Sequence, residues 1–234
     1  MKLRIEVVAV DSLMVRLFDV IDEANMPWML AARQRLQAAF GGRLVDLVPS
    51  YTTLMVQFDL LQMSPTEARS CIEQALAHVQ PDPGSAGRRH EIPVWYDPSV
   101  GPELTVLAQR IGKSPAEVIR LHSEREYQVF ALGFAPGFAF MGLVDECLAS
   151  PRLATPRKRV AAGSVGIAER QTAAYPAVSP GGWNLIGRTP SALFDRDREG
   201  YSLLQPGDRV RFVSVDHATF MRLGGDDTPL EVQA

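Results

Sequence analysis

Between Gly133 and Pro190, glycine and proline recur every few residues, yet Phe, Tyr, Trp, Ile and Val are interleaved throughout. Such a stretch is neither a flexible linker nor a set of plain strands. It specifies a surface shaped by the backbone, where many positions need glycine's conformational range or proline's fixed φ. Its charge is lopsided as well. From Cys147 to Pro190 the cations are Arg152, Arg157, Lys158, Arg159, Arg170 and Arg188, against Glu169 alone, in a chain of formal net charge -3. A basic patch on an acidic protein points to a small anion or an acidic partner and away from nucleic acid.

A chain of 234 residues is long enough for one large or two small domains. No run of about 18 apolar residues exists, so no membrane span is expected. The start, from Met1 to Ser12, alternates and carries acids. It lacks the apolar core of a secretory leader, and a cytoplasmic protein is expected. Cys71 and Cys147 stand far apart in different element types, which argues against a disulfide framework or a zinc site.

The first 80 residues read as a small α/β domain of order ββαββα, a four-stranded antiparallel sheet with two helices on one face. Alternation at Leu3, Ile5, Val7 and again at Leu13, Val15, Leu17 predicts a hairpin. A helix follows over 25–40, with Asn25 as N-cap and Gly41-Gly42 as its stop. A second hairpin is expected over 43–58, turning at Pro49-Ser50. Ser64-Pro65-Thr66-Glu67 then opens a helix with a capping box. Residues 81–90, rich in proline, glycine and serine, read as a linker.

The second domain, 91–234, begins with a strand at 92–96 and helices near 102–111 and 115–123, the latter opened by another capping box, Ser114 to Glu117. From Tyr127 onward come short strands between turns, with candidates at 127–131, 163–168, 183–187, 202–204 and 209–215. Many short strands with glycine and proline turns predict a closed or nearly closed β-barrel, so the fold class is α+β.

For chemistry, Ser164 sits among small residues but outside a G-x-S-x-G elbow, and none of His78, His90, His122 and His217 is placed beside it by sequence. His122 ends a helix. It either stabilises the helix C-terminus as imidazolium or serves as a general acid or base at the barrel mouth. No metal-ligand spacing and no phosphate loop occur, so no metal is expected and this chain itself shows no ATP site. Arg157 and Arg159, two apart, would share a strand face and grip one carboxylate or phosphate, unless they only form a solvated basic edge. Arg188 is a third cation for the same task. Gln171, Thr172, Tyr175 and Ser179 offer neutral hydrogen bonds or ordinary turn chemistry. Pro180-Gly181-Gly182-Trp183 reads as a sharp turn presenting an aromatic, with backbone amides open to an anion.

The ordered series Gly133-Phe134-x-Pro136-Gly137-Phe138, Pro156-Arg157-x-Arg159-Val160, Ala162 to Ile167, Gln171-Thr172, Tyr175-Pro176 and Ser179 to Pro190 resembles the allophanate hydrolase subunit 1 family. That family includes the B-type subunit of bacterial 5-oxoprolinase and a sporulation kinase inhibitor. The resemblance covers about 90–215 firmly and implies a cyclophilin-like barrel after the small domain. It implies an enzyme half that is inactive without a subunit 2 type partner. A third component and ATP, used at the level of the complex, would complete the opening of 5-oxoproline to glutamate. Two other readings follow from the same resemblance: a binding module that blocks a histidine kinase, and a carboxyltransferase half for urea-like substrates. Glu169-Arg170 stands where the family usually has a glycine-containing pair.

Overall fold

The computed structural model describes residues 2–81 and 87–230. Two compact units divide the chain, Met1–Gly87 and Arg88–Ala234. The first contains strands β1 (Arg4–Ala9) and β2 (Ser12–Arg16), helix α1 (Met26–Phe40), strands β3 (Leu44–Ser50) and β4 (Thr53–Phe58), and helix α2 (Pro65–Leu76). Its sheet is antiparallel in the order β1-β2-β4-β3. Leu13 and Val15 of β2 and Leu54, Val56 and Phe58 of β4 point into the core at every second position, where Met29, Leu36, Ile72 and Leu76 of the helices are also buried.

Several local expectations need correction. Asn25 makes no side-chain cap on α1; its amide instead donates to the Val20 carbonyl, and Pro27 removes one of the donors a cap would serve. The second hairpin turns at Tyr51-Thr52, not Pro49-Ser50, because Pro49 and Ser50 stay paired with Leu54 and Thr53. Both capping boxes form as expected, at Ser64 and Ser114. Of the expected linker, 82–86 lie outside the described residues. Arg89 and His90, expected to end it, instead begin a strand, since a parallel neighbour supplies their ladder partners.

The second unit contains β5 (Arg89–Val94), α3 (Glu103–Arg110), α4 (Pro115–Ser123), β6 (Glu126–Leu132), β7 (Ala139–Gly142), β8 (Arg157–Val160), β9 (Ser164–Ala168), β10 (Gln171–Ala174), β11 (Ser179–Gly181), β12 (Asn184–Arg188), β13 (Arg209–Ser214) and α5 (His217–Arg222). Seven strands form one sheet in the order β12-β9-β10-β7-β6-β13-β5. Its two ends meet. The amide and carbonyl of Trp95, just past β5, exchange hydrogen bonds of 2.9 Å with those of Arg188 at the end of β12, so the barrel nearly closes on that seam. Strands β8 and β11 pair separately. Residues 202–204 are not a strand; Ser202 makes a single bridge to Phe194.

The glycine-rich region feeds two apolar clusters. Val165, Ile167, Ala174 and Ile186 join the barrel core, while Ala168, Ala173, Tyr175, Trp183 and Leu185 join Phe138 and Val160 in a second cluster. Strands β9, β10 and β12 are therefore covered on both faces, which explains why they lack polar alternation. Gly163, at φ +79°, makes the tight approach before β9. A Cβ there would overlap the Thr189 carbonyl oxygen.

Candidate functional site

Arg188 occupies the closure seam. Its backbone is paired to Ser164 on one side and Trp95 on the other, which fixes where its side chain starts. The side chain is 1% exposed. Nη1 donates to the carbonyls of Asp226 (2.7 Å) and Thr228 (2.8 Å) in the tail beyond α5. Nε and Nη2 are buried and have no partner among the described residues. Burial pushes the guanidinium pKa down from its ordinary value, opposed by the charges of Asp226 and Asp227.

Arg157 and Arg159 of β8 line the same cleft, of about 490 Å³, together with Arg188 and Asp226. Arg157 Nη2 pairs with Glu103 Oε1 at the start of α3, and Glu103 Oε2 accepts the Leu185 amide at 2.9 Å. Arg157 Nη1 remains buried without a partner among the described residues. Arg159 is exposed and has no ion-pair partner there. The remaining walls are Ala161, Ala162, Val178, Thr228, Pro229 and Leu230. Three cations thus line a hollow of mixed polar and aliphatic walls, with one exposed carboxylate at its edge. Acids elsewhere in the sequence temper the basic patch: Glu103 neutralises Arg157, and Glu146 meets Arg170 at 3.2 Å.

A second hollow of about 90 Å³ lies among Phe134, Phe138, Phe140, Arg152, Tyr175, Gly181, Gly182 and Trp183. Phe138 is its hub, edge-on to Phe134 (5.2 Å), Phe140 (4.9 Å), Tyr175 (5.2 Å) and Trp183 (5.7 Å). Trp183 is buried, so the turn before it does not present an aromatic to solvent; the ring packs inward because Phe138 and Tyr175 leave it an apolar slot. Gly181 is needed because a Cβ there would overlap the Tyr175 hydroxyl. Burial pushes the Tyr175 phenol up to about 12.

The residues expected to act together are therefore divided. Arg157, Arg159 and Arg188 share one cleft, while Tyr175, Gly181, Gly182 and Trp183 share the other. Gln171 lies in the β10 ladder opposite Ala168 and Gly142, lining neither, and Ser179 sits on β11. His122 is not at a barrel mouth. It is 0% exposed and stacked on Phe212 at 4.8 Å. Tyr96 Oη donates to its Nδ1 (2.7 Å), its Nε2 donates to Thr172 Oγ1 (2.8 Å), and that hydroxyl donates to the Gly166 carbonyl (3.1 Å). Desolvation lowers its pKa to about 3, so it is neutral and does not act as an imidazolium at the helix end. Ser164 begins β9 fully buried, with no histidine hydrogen-bonded to it among the described residues. Among those residues no group of three or more His, Cys, Asp or Glu could hold a metal, and no helix is long and apolar enough to cross a membrane.

Sequence reasoning missed Glu103 and the tail residues Asp226 and Thr228. Glu103 showed only as a first-turn acid of a helix, and backbone carbonyls leave no sequence signal.

Residues 3–204 match the carboxyltransferase domain family, subdomains C and D, and the chain belongs to that family. Over 227 residues it is 37% identical to the B-type subunit of 5-oxoprolinase from Bacillus subtilis (strain 168), covering 93% of this chain and 95% of that one. It is 53% identical to the corresponding 5-oxoprolinase subunit of Escherichia coli O157:H7 over 123 residues, 53% of this chain and 56% of that one. Among solved structures, TTHA0988 is similar with a TM-score of 0.77 and 37% identity, over 88% of this chain but 40% of the longer TTHA0988 chain. The urea amidolyase of K. lactis, at 16% identity and a TM-score of 0.76 over 97% of this chain and 16% of that one, shares the fold.

Proposed function

We propose that this chain is the B-type subunit of a 5-oxoprolinase, a hydrolase-type component that opens 5-oxoproline to glutamate only within a larger assembly. The observation that carries this reading is the end-to-end similarity to the Bacillus subtilis 5-oxoprolinase component. A subunit 2 type protein is its partner, a third component completes the complex, and the setting is cytoplasmic. ATP acts at the level of the complex: opening an unactivated lactam is slow, and coupling to ATP makes the ring carbonyl a better electrophile. This chain contributes substrate positioning. Arg157, Arg159 and Arg188 supply positive charge for the substrate carboxylate, as planar guanidinium groups match a carboxylate's two oxygens.

The test is reconstitution. The purified chain, the subunit 2 type protein and the third component are assayed for 5-oxoproline-dependent glutamate formation with ATP, singly and combined. Activity is expected only in the full mixture. Robust turnover by this chain alone, or none in any mixture, would overturn the reading. A histidine kinase inhibited by the chain, with no turnover in the mixture, would transfer the assignment to the binding module. Phe134, 63% exposed, is one of the aromatics on the surface available for such a contact.

A further inference from the structure

Arg188 is a charge taken out of water with Nε and Nη2 unserved among the described residues, Arg157 Nη1 is likewise buried and unserved among them, and both side chains line the same cleft. Unpartnered buried donors are costly, and charged ones more so. The two tail carbonyls satisfy Nη1 but bring no full negative charge, and Asp226 Oδ2 lies 3.9 Å from Nη1 on a side chain that is 68% exposed. Among the described residues no acceptor reaches Arg188 Nε and Nη2 or Arg157 Nη1.

We propose that the cleft between β8, the end of β12 and the tail is a seat for a small carboxylate with an apolar body. Its oxygens are held by Arg188 and Arg157, Arg159 adds charge at the opening, and its body lies against Ala161, Val178 and Leu230. A carboxylate fits better than a phosphate on two grounds. Much of the wall is aliphatic, and Asp226 at the edge repels a dianion more than a monoanion. The tail from Asp226 to Leu230 is the wall that gives way to admit the ligand. Its carbonyls rest on Arg188 and its Leu230 amide on Ser99, with no strand ladder holding it. The seat stands on the unserved nitrogens; only 5-oxoproline as a natural occupant rests on the proposed function.

The full chain is titrated calorimetrically at low ionic strength with cyclopentanecarboxylate, 5-oxoproline, 2-pyrrolidinone and inorganic phosphate. The two carboxylates are expected to bind saturably and to weaken with salt. The neutral lactam should not bind, and phosphate should bind more weakly. Absence of carboxylate binding, equal binding of 2-pyrrolidinone, or tighter binding of phosphate would each overturn the seat. Arg188→Gln is expected to abolish carboxylate binding. Should that variant not fold, Arg159→Gln, at an exposed position, is expected to weaken binding about fivefold through loss of a nearby charge, and unchanged affinity would overturn the proposal. Cyclopentanecarboxylate binding without 5-oxoproline turnover in the assembly would keep the seat and remove the 5-oxoprolinase reading. Turnover without carboxylate binding by this chain would do the reverse.

Discussion

Glu169 shows how a single residue departs from what its backbone asks. It sits in the two-residue turn between β9 and β10 at φ +51°, where an L side chain is strained. Its amide and carbonyl are both engaged with Ser150, so the turn cannot relax away. Glycine there would remove the strain, and Glu169→Gly is expected to stabilise the protein by about 1 kcal/mol, read as a higher urea midpoint with unchanged slope. A lower midpoint would refute it. The sequence made this position visible as a charged pair in place of a glycine-containing one, but only the dihedral angle says which residue of the pair is strained.

At the scale of elements, Glu103 ties three of them together. It opens α3, pairs with Arg157 of β8 and accepts the Leu185 amide of β12. Both charged side chains are largely buried, at 13% and 11% exposed. Removing one partner leaves the other charge uncompensated in a poorly hydrated place. Glu103→Ala is therefore expected to cost about 3 kcal/mol of stability, measured by denaturant unfolding. A double variant with Arg157→Met should recover part of that loss; no recovery would mean the pair is not coupled. The helix, its capping neighbour at Ser114 and the strands were legible from periodicity and turn chemistry. The pairing was not, because Glu103 and Arg157 lie 54 positions apart and nothing local links them.

For the whole molecule, the buried titratable groups fix how stability responds to acid. His122 has a folded pKa near 3 against an ordinary 6.5. Above pH 6.5 it is neutral in both states and costs nothing. Between 6.5 and about 3 the unfolded chain takes up a proton that the folded chain refuses, so stability falls as pH falls, by up to about 1.4 kcal/mol per pH unit. Carboxylates such as Asp145 and Asp226, held below their ordinary value of 3.8 mainly by hydrogen bonds, keep their contribution until lower pH and then lose it in the same direction. Unfolding free energies measured between about pH 7 and about pH 5 should show this slope, and His122→Gln should flatten it. An unchanged slope in the variant would assign the effect elsewhere. By itself the sequence determined the class of fold, both capped helices, the glycine-and-proline barrel signature and the family, because periodicity, caps and backbone-demanding residues are local properties written in order along the chain. The tertiary structure alone decided that His122 is a neutral core residue, that Trp183 faces inward, and that the candidate site divides into an arginine cleft and an aromatic hollow. Those outcomes depend on which distant segments meet at the seam where Trp95 pairs with Arg188, and burial and partnership exist only once that seam is closed.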